Sequence, residues 1–234
     1  MLDISNMYPL IEFPVQYARE NEIYKFHFPG DPITPGAQLV GDFFKMKPTQ
    51  LRGEIWKFKF RKPVRPGKEY TFSFDSTGAK LIADDGVYFT ATPREGDVER
   101  RQFACQGVPA KSSKLDRGTP FTYYKNFFEL DETRWVTIDV REILSGKPQI
   151  SSLGNPTLFV ITECAGNLAL EGTTDRRLYK FLEFNDFFFN ESHESRLLHI
   201  SSTILSKGSF LSWRFSVFDE SGVTVASSTK AVSI

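Results

Sequence analysis

The chain has 234 residues, 40% of them hydrophobic, enough for one large domain or two small ones that each bury a core. Its 29 basic and 29 acidic residues cancel, so no global field draws it toward nucleic acid or an anionic membrane. The two cysteines, Cys105 and Cys164, lack any paired metal-ligand spacing and argue against a disulfide framework, which points to a reducing compartment.

The N-terminus, MLDISNMYPLIEF, has no basic region leading into an apolar core, and no apolar run is long enough to cross a bilayer. The expectation is a cytoplasmic protein without membrane insertion. In chain order, YPLIEFPV and EIYKFHF alternate and read as strands. The Pro/Gly-rich FPGDPITPG turns the chain, and Gly36 opens a helical stretch, AQLVGDFFKM, that ends before Pro48. GEIWKFKFRKPV alternates again, PVRPGK is a turn, and EYTFSFDS and GVYFTATP complete a sheet.

The second half repeats this order. FTYYKNFFEL and RWVTIDVREIL come first, followed by the turn-rich SGKPQISSLGNP and a helical run, TLFVITECAGNLALEG. LYKFLEFNDFFF, SRLLHISSTILS, SFLSWRFSVFDE and GVTVASSTKAVSI then read as strands. Repeated element order is the sign of duplication, because residue identity between the halves is low. The polar stretch between them reads as a linker; the alternative is a single mixed domain with a long excursion, but loops that long are rare inside one compact domain. The expected organisation is an N-terminal domain over 1–95, a linker over 96–118 and a C-terminal domain over 119–234. Phe occurs 23 times, mostly in strands, which suits a sheet wrapped around something long and apolar.

From His27 to Gly36 the sequence reads HFPGDPITPG. This resembles the active-site segment of the β-hydroxyacyl-carrier-protein dehydratases, the FabA/FabZ family, in which His-Phe-x-Gly-x-Pro-x-x-Pro-Gly leads into a central helix. KFKFRKPVRPGKEYTF resembles that family's following strand and turn. The likeness covers most of residues 8–93, while the second half shares only the architecture and the helix. It implies an α+β double hot-dog, two antiparallel sheets each wrapped around a central helix. It also implies a hydro-lyase acting on acyl-carrier-protein or CoA thioesters in fatty acid or polyketide biosynthesis, with no metal or redox cofactor.

Dehydration of a 3-hydroxyacyl thioester needs a base for the α-proton and an acid for the departing hydroxyl. It also needs donors for the charge that develops on the thioester carbonyl, which backbone N–H groups at a helix N-terminus supply. By the resemblance, His27 is the base, the N–H of Gly36 faces the carbonyl, and Phe28, Pro35 and Ala37 line the substrate site. The His27–Phe28 peptide is expected to be cis. The family's acid falls five residues after the motif's last glycine, which here is Gly41; Asp42 lies one residue further, a rotation of about 100° around a helix. With Pro156 set on Pro35, PTLFVITE lies over PGAQLVGD, so Glu163 matches Asp42.

In that family the histidine and the acid come from different subunits, so a fused pair joins His27 to Glu163. Asp42 is then the remnant of a twin site without a histidine, since His27 maps onto Pro148. The expectation is one site per chain in an internal pseudo-dimer, open to further homo- or hetero-oligomerisation. A lone histidine at a strand end is more often structural or solvated, but within this motif catalysis is the favoured reading. Cys164 beside Glu163 reads as a small core residue, and Arg61, Lys62, Arg65 and Lys68 suit either a solvated edge or a carrier's phosphate. The rival functions are a hot-dog thioesterase, with the carboxylate activating water, and a catalytically silent acyl-binding or partner subunit.

Overall fold

The computed structural model of the chain describes residues 9–25, 30–96, 125–130, 132–170, 180–194 and 196–234. The expected linker, apart from Gly96, lies outside them, as do His27 and Phe28.

The first half runs β1 (Ile11–Gln16), α1 (Gly36–Met46), β2 (Ile55–Phe60), β3 (Glu69–Asp75), β4 (Gly78–Ala83) and β5 (Gly86–Arg94). The alternation that marks strands is plain in β3, where Tyr70, Phe72 and Phe74 turn inward and their neighbours outward. Helix α1 buries Leu39, Val40, Phe43 and Phe44 on one stripe. Its last turn is closed by Lys47 N–H donating to Phe43 O at 2.8 Å, and Pro48 has no N–H with which to continue.

The second half runs β6 (Lys125–Leu130), β7 (Thr133–Asp139), α2 (Val140–Ser145), α3 (Pro148–Ser151) and α4 (Pro156–Leu170), then β8 (Phe181–Phe189), β9 (Leu197–Ser206), β10 (Leu211–Asp219) and β11 (Thr224–Ser233). Helix α4 is buried on nearly every side, as befits a helix surrounded by sheet and by other helices. Asn155 caps it by accepting from Leu158 N–H at 2.9 Å.

Three sequence expectations are corrected. Residues Glu22–Lys25, read as part of a strand, form a 3₁₀ turn. Asn21 seeds it, its side chain accepting from Ile23 N–H at 3.0 Å and its carbonyl from Tyr24 N–H at 3.1 Å, so that adjacent Ile23 and Tyr24 both point inward. The run RWVTIDVREIL is not one strand but β7 followed by α2, because the buried Asp139 caps Glu142 N–H at 3.1 Å and starts a helix. GAKLIA, passed over in the sequence, is β4, hairpinned to β3.

All strands join one sheet in the order β1-β3-β4-β5-β2-β8-β11-β10-β9-β7-β6, and every neighbouring pair is antiparallel. Read outward from the β2–β8 seam, the first half runs β2-β5-β4-β3-β1 and the second β8-β11-β10-β9-β7, the same connectivity twice, with β6 added at the far edge. The halves are related by a pseudo-twofold axis through that seam. Each is a helix wrapped by an antiparallel sheet, the hot-dog arrangement.

Two contacts fix the halves together. At the seam, Trp56 pairs with Phe187 and Phe58 with Phe184, with a bulge between. Behind it α1 packs on the start of α4, so closely that a Cβ on Gly41 would lie 3.2 Å from the Asn155 Cβ. Aromatic rings fill the space between α1 and the sheet. Phe43 lies 4.7 Å from Trp56 and 5.3 Å from Phe58, ring centre to ring centre, and all three are fully buried. These phenylalanine rings therefore pack on one another as a core against α1.

Candidate active site at the junction of the halves

Helix α1 begins without a side-chain cap. Pro35 stands at the N-cap, and its carbonyl accepts from Gln38 and Leu39 N–H at 3.0 and 3.2 Å. Gly36 is required there by space: a Cβ would lie 2.8 Å from Cδ2 of Phe181 and 3.0 Å from Cε1 of Phe60. Those rings belong to opposite halves and meet across the seam.

Beside Gly36 opens an apolar cleft of about 130 Å³. The first half lines it with Ile33, Thr34, Gly36, Leu39 and residues 60–64, the second with Lys180, Phe181, Leu182 and Ile234. Its walls are mainly apolar, and Arg61, Lys62 and Lys180 bring positive charge to it. The motif's end is held tightly. Thr34 N–H donates to Val64 O at 2.7 Å, and the Thr34 and Tyr24 hydroxyls bond at 3.1 Å. Arg65 pairs with Asp31 at 2.5 Å, so part of the basic run clasps the motif itself. Lys62 and Lys68 pair with Asp85, at 4.0 and 2.6 Å.

The expected site residues sort as follows. Gly36 lines the cleft; Pro35 and Ala37 do not, and Ala37 is fully buried. His27, Phe28 and the peptide between them lie outside the described residues. Glu163 sits on α4, 5% exposed, and is not among the residues lining the cleft. Burial pushes its carboxyl up to about 8, so it is protonated at neutral pH.

Asp42 lies on α1 beside Gly154, just before α4. A Cβ on Gly154 would collide with its carboxylate. Burial pushes Asp42 up to about 6, against the opposing pull of the Tyr17 hydroxyl and the Lys45 ammonium. Burial and the neighbouring Asp42 in turn hold the Tyr17 phenol well above its ordinary value. Cys164 is buried, and burial together with Glu163 keeps its thiol far above the range in which a nucleophilic thiolate forms. His199 bonds Thr137 at 3.0 Å and His193 lies 3.9 Å from Asp219; neither lines the cleft.

Residues the sequence did not single out also bear on the site. Leu39, Phe60 and Phe181 form its walls. Gln38 is buried, with its amide oxygen lacking a partner among the described residues. A glutamine inside the otherwise apolar GAQLVG was the available signal for it, while Phe181 had none, being one phenylalanine among many.

Among the described residues no group of three or more His, Cys, Asp or Glu is placed to hold a metal ion, and no helix is long and apolar enough to cross a membrane. No family model matches the chain. No curated protein matches it significantly. Solved structures do. It is similar to a trans-acyltransferase polyketide synthase enoyl-isomerase, with TM-score 0.67 and 14% identity over 97% of this chain and 100% of that one. It is similar to a monomeric dehydratase domain from a trans-acyltransferase polyketide synthase split module, with TM-score 0.66 and 12% identity over 97% and 99%. It is similar also to the dehydratase domain from the CurJ module of the curacin polyketide synthase, with TM-score 0.67 and 14% identity over 97% and 94%. The fold is the double hot-dog of polyketide synthase dehydratase domains.

Proposed function

We propose that the chain is a 3-hydroxyacyl-thioester dehydratase, or works in reverse as an enoyl hydratase, with one active site shared between its halves. The observation that carries this reading is Glu163, a buried carboxyl held protonated at neutral pH on the helix of the second half. Dehydration asks for such a group, since the departing hydroxyl leaves as water only if an acid protonates it. A thioesterase asks for the opposite, an ionised carboxylate to activate water, and burial of Glu163 works against it.

Pseudo-symmetry supports assigning this acid to the cleft. On α1, Asp42 packs against Gly154, which stands two residues before Pro156. Exchanging the halves maps Asp42 onto Glu163 and Gly154 onto Ile33, two residues before Pro35, and Ile33 lines the cleft. In this reading His27 removes the α-proton, the Gly36 N–H steadies the thioester oxygen, and Glu163 protonates the hydroxyl. Asp42, opposite the sequence position that lacks a histidine, is a remnant. Arg61, Lys62 and Lys180 favour a carrier arm bearing a phosphate, as in acyl-carrier protein or CoA.

The test is an assay with 3-hydroxyacyl and 2-enoyl thioesters, following both the absorbance of the conjugated enoyl product and free thiol. Enoyl interconversion lost in His27→Ala and in Glu163→Gln is expected. Thiol release would replace the reading with a thioesterase, and neither signal would leave a silent acyl-binding or partner subunit.

A further inference from the structure

We infer that the site accepts only short acyl groups, on the order of six carbons or fewer, and that Leu39, Phe60 and Phe181 set the limit. The inference rests on the dehydratase reading for the identity of the ligand and on the cleft for its size. A cavity on the order of 150 Å³ holds one benzene ring. The cleft beside Gly36, at about 130 Å³, has room for a tail of similar bulk.

Nothing behind the wall yields easily. Phe184 lies 4.8 Å from Phe181 and 5.6 Å from Phe60, ring centre to ring centre, and is fully buried. Phe89 backs Phe60 at 5.4 Å and stacks on Phe58 at 5.6 Å, and both are fully buried. Phe58 in turn meets Phe43 of α1. A tail that grows inward from the cleft must move Phe60 or Phe181, and either ring moves into others already at contact distance, in a core packed as densely as a crystal. Leu39 lines the cleft from α1. The wall is built across the seam, with Leu39 and Phe60 from one half and Phe181 from the other.

The experiment measures kcat/KM for 3-hydroxyacyl N-acetylcysteamine thioesters of four, six, eight and twelve carbons, and in parallel the binding of the matching saturated acyl thioesters by calorimetry. Turnover is expected to hold between four and six carbons and to fall at least about tenfold by eight, the discrimination a pocket imposes on excess methylenes. Binding should fall with it. Equal turnover or equal binding across the series overturns the inference. Short-selective binding without turnover at any length sinks the dehydratase reading and leaves the size limit standing. Phe181→Ala and, separately, Leu39→Ala should move the optimum toward eight carbons. A short-chain profile kept in both variants while the fold persists by circular dichroism would show that these residues are not the wall.

Discussion

Gly36 and Phe181 meet where the two halves join, so closely that the smallest side chain on residue 36 would come within 2.8 Å of the Phe181 ring. One residue starts the first-half helix and the other starts strand β8 of the second half. The contact makes the cleft a property of the pair of halves and not of either alone.

It follows that Gly36→Ala acts on both stability and site. The added methyl must push the Phe181 and Phe60 rings into a packed neighbourhood, at an expected cost of about 1–3 kcal/mol. Urea unfolding should show the loss, and enoyl interconversion should fall further than stability alone explains, because the displaced rings enter the cleft.

Glu163 makes stability fall as pH rises. Its folded-state value, up to about 8, lies above the ordinary carboxyl value of 4.5. The unfolded chain therefore releases this proton first. Its contribution is fully present below about pH 4.5 and is lost across the window from there to about pH 8, at about 1.4 kcal/mol per pH unit while only the unfolded state is ionised. Glu163→Gln should flatten that slope in urea melts taken from pH 5 to 9 while abolishing turnover. A variant equally steep in pH would show that another group carries the dependence.

Asp42 contributes the same sign over a lower window, from about 3.8 to about 6. Asp42→Asn is expected to raise stability at pH 7 relative to the parent and to leave enoyl interconversion within about twofold. A loss of turnover as large as that of Glu163→Gln would mean that Asp42 is no remnant.

Tyr24 and Thr34 flank the segment that carries His27, and their hydroxyls bond at 3.1 Å in a buried setting. Tyr24→Phe removes that bond and leaves Thr34 with one fewer partner, at an expected cost of about 1 kcal/mol. Denaturant midpoints measure this cost. If the bond also holds the motif in register, kcat should fall while KM for a short acyl thioester stays within about twofold.

Much of this protein is legible along the chain. The period-two pattern of EYTFSFDS and the apolar stripe of GAQLVGDFFKM specify β3 and α1, because alternate residues of a strand and every third or fourth residue of a helix share a face whatever they later meet. The repeated element order already implied duplication, and HFPGDPITPG already pointed to one family's chemistry. Local sequence misled where a polar side chain overrode the pattern, as when Asn21 turned Glu22–Lys25 into a 3₁₀ turn and Asp139 started a helix inside an apparent strand.

Only the tertiary structure decided what lies next to what. The pairing of Trp56 with Phe187 and of Phe60 with Phe181 joins residues more than a hundred positions apart, and no local periodicity encodes such a meeting. Burial of Glu163, which keeps its carboxyl protonated, comes from surroundings assembled out of distant strands and helices. The many phenylalanines suggested an apolar lining for something long. Folding showed that those around α1 pack on one another into a core, while Phe60 and Phe181 line the cleft.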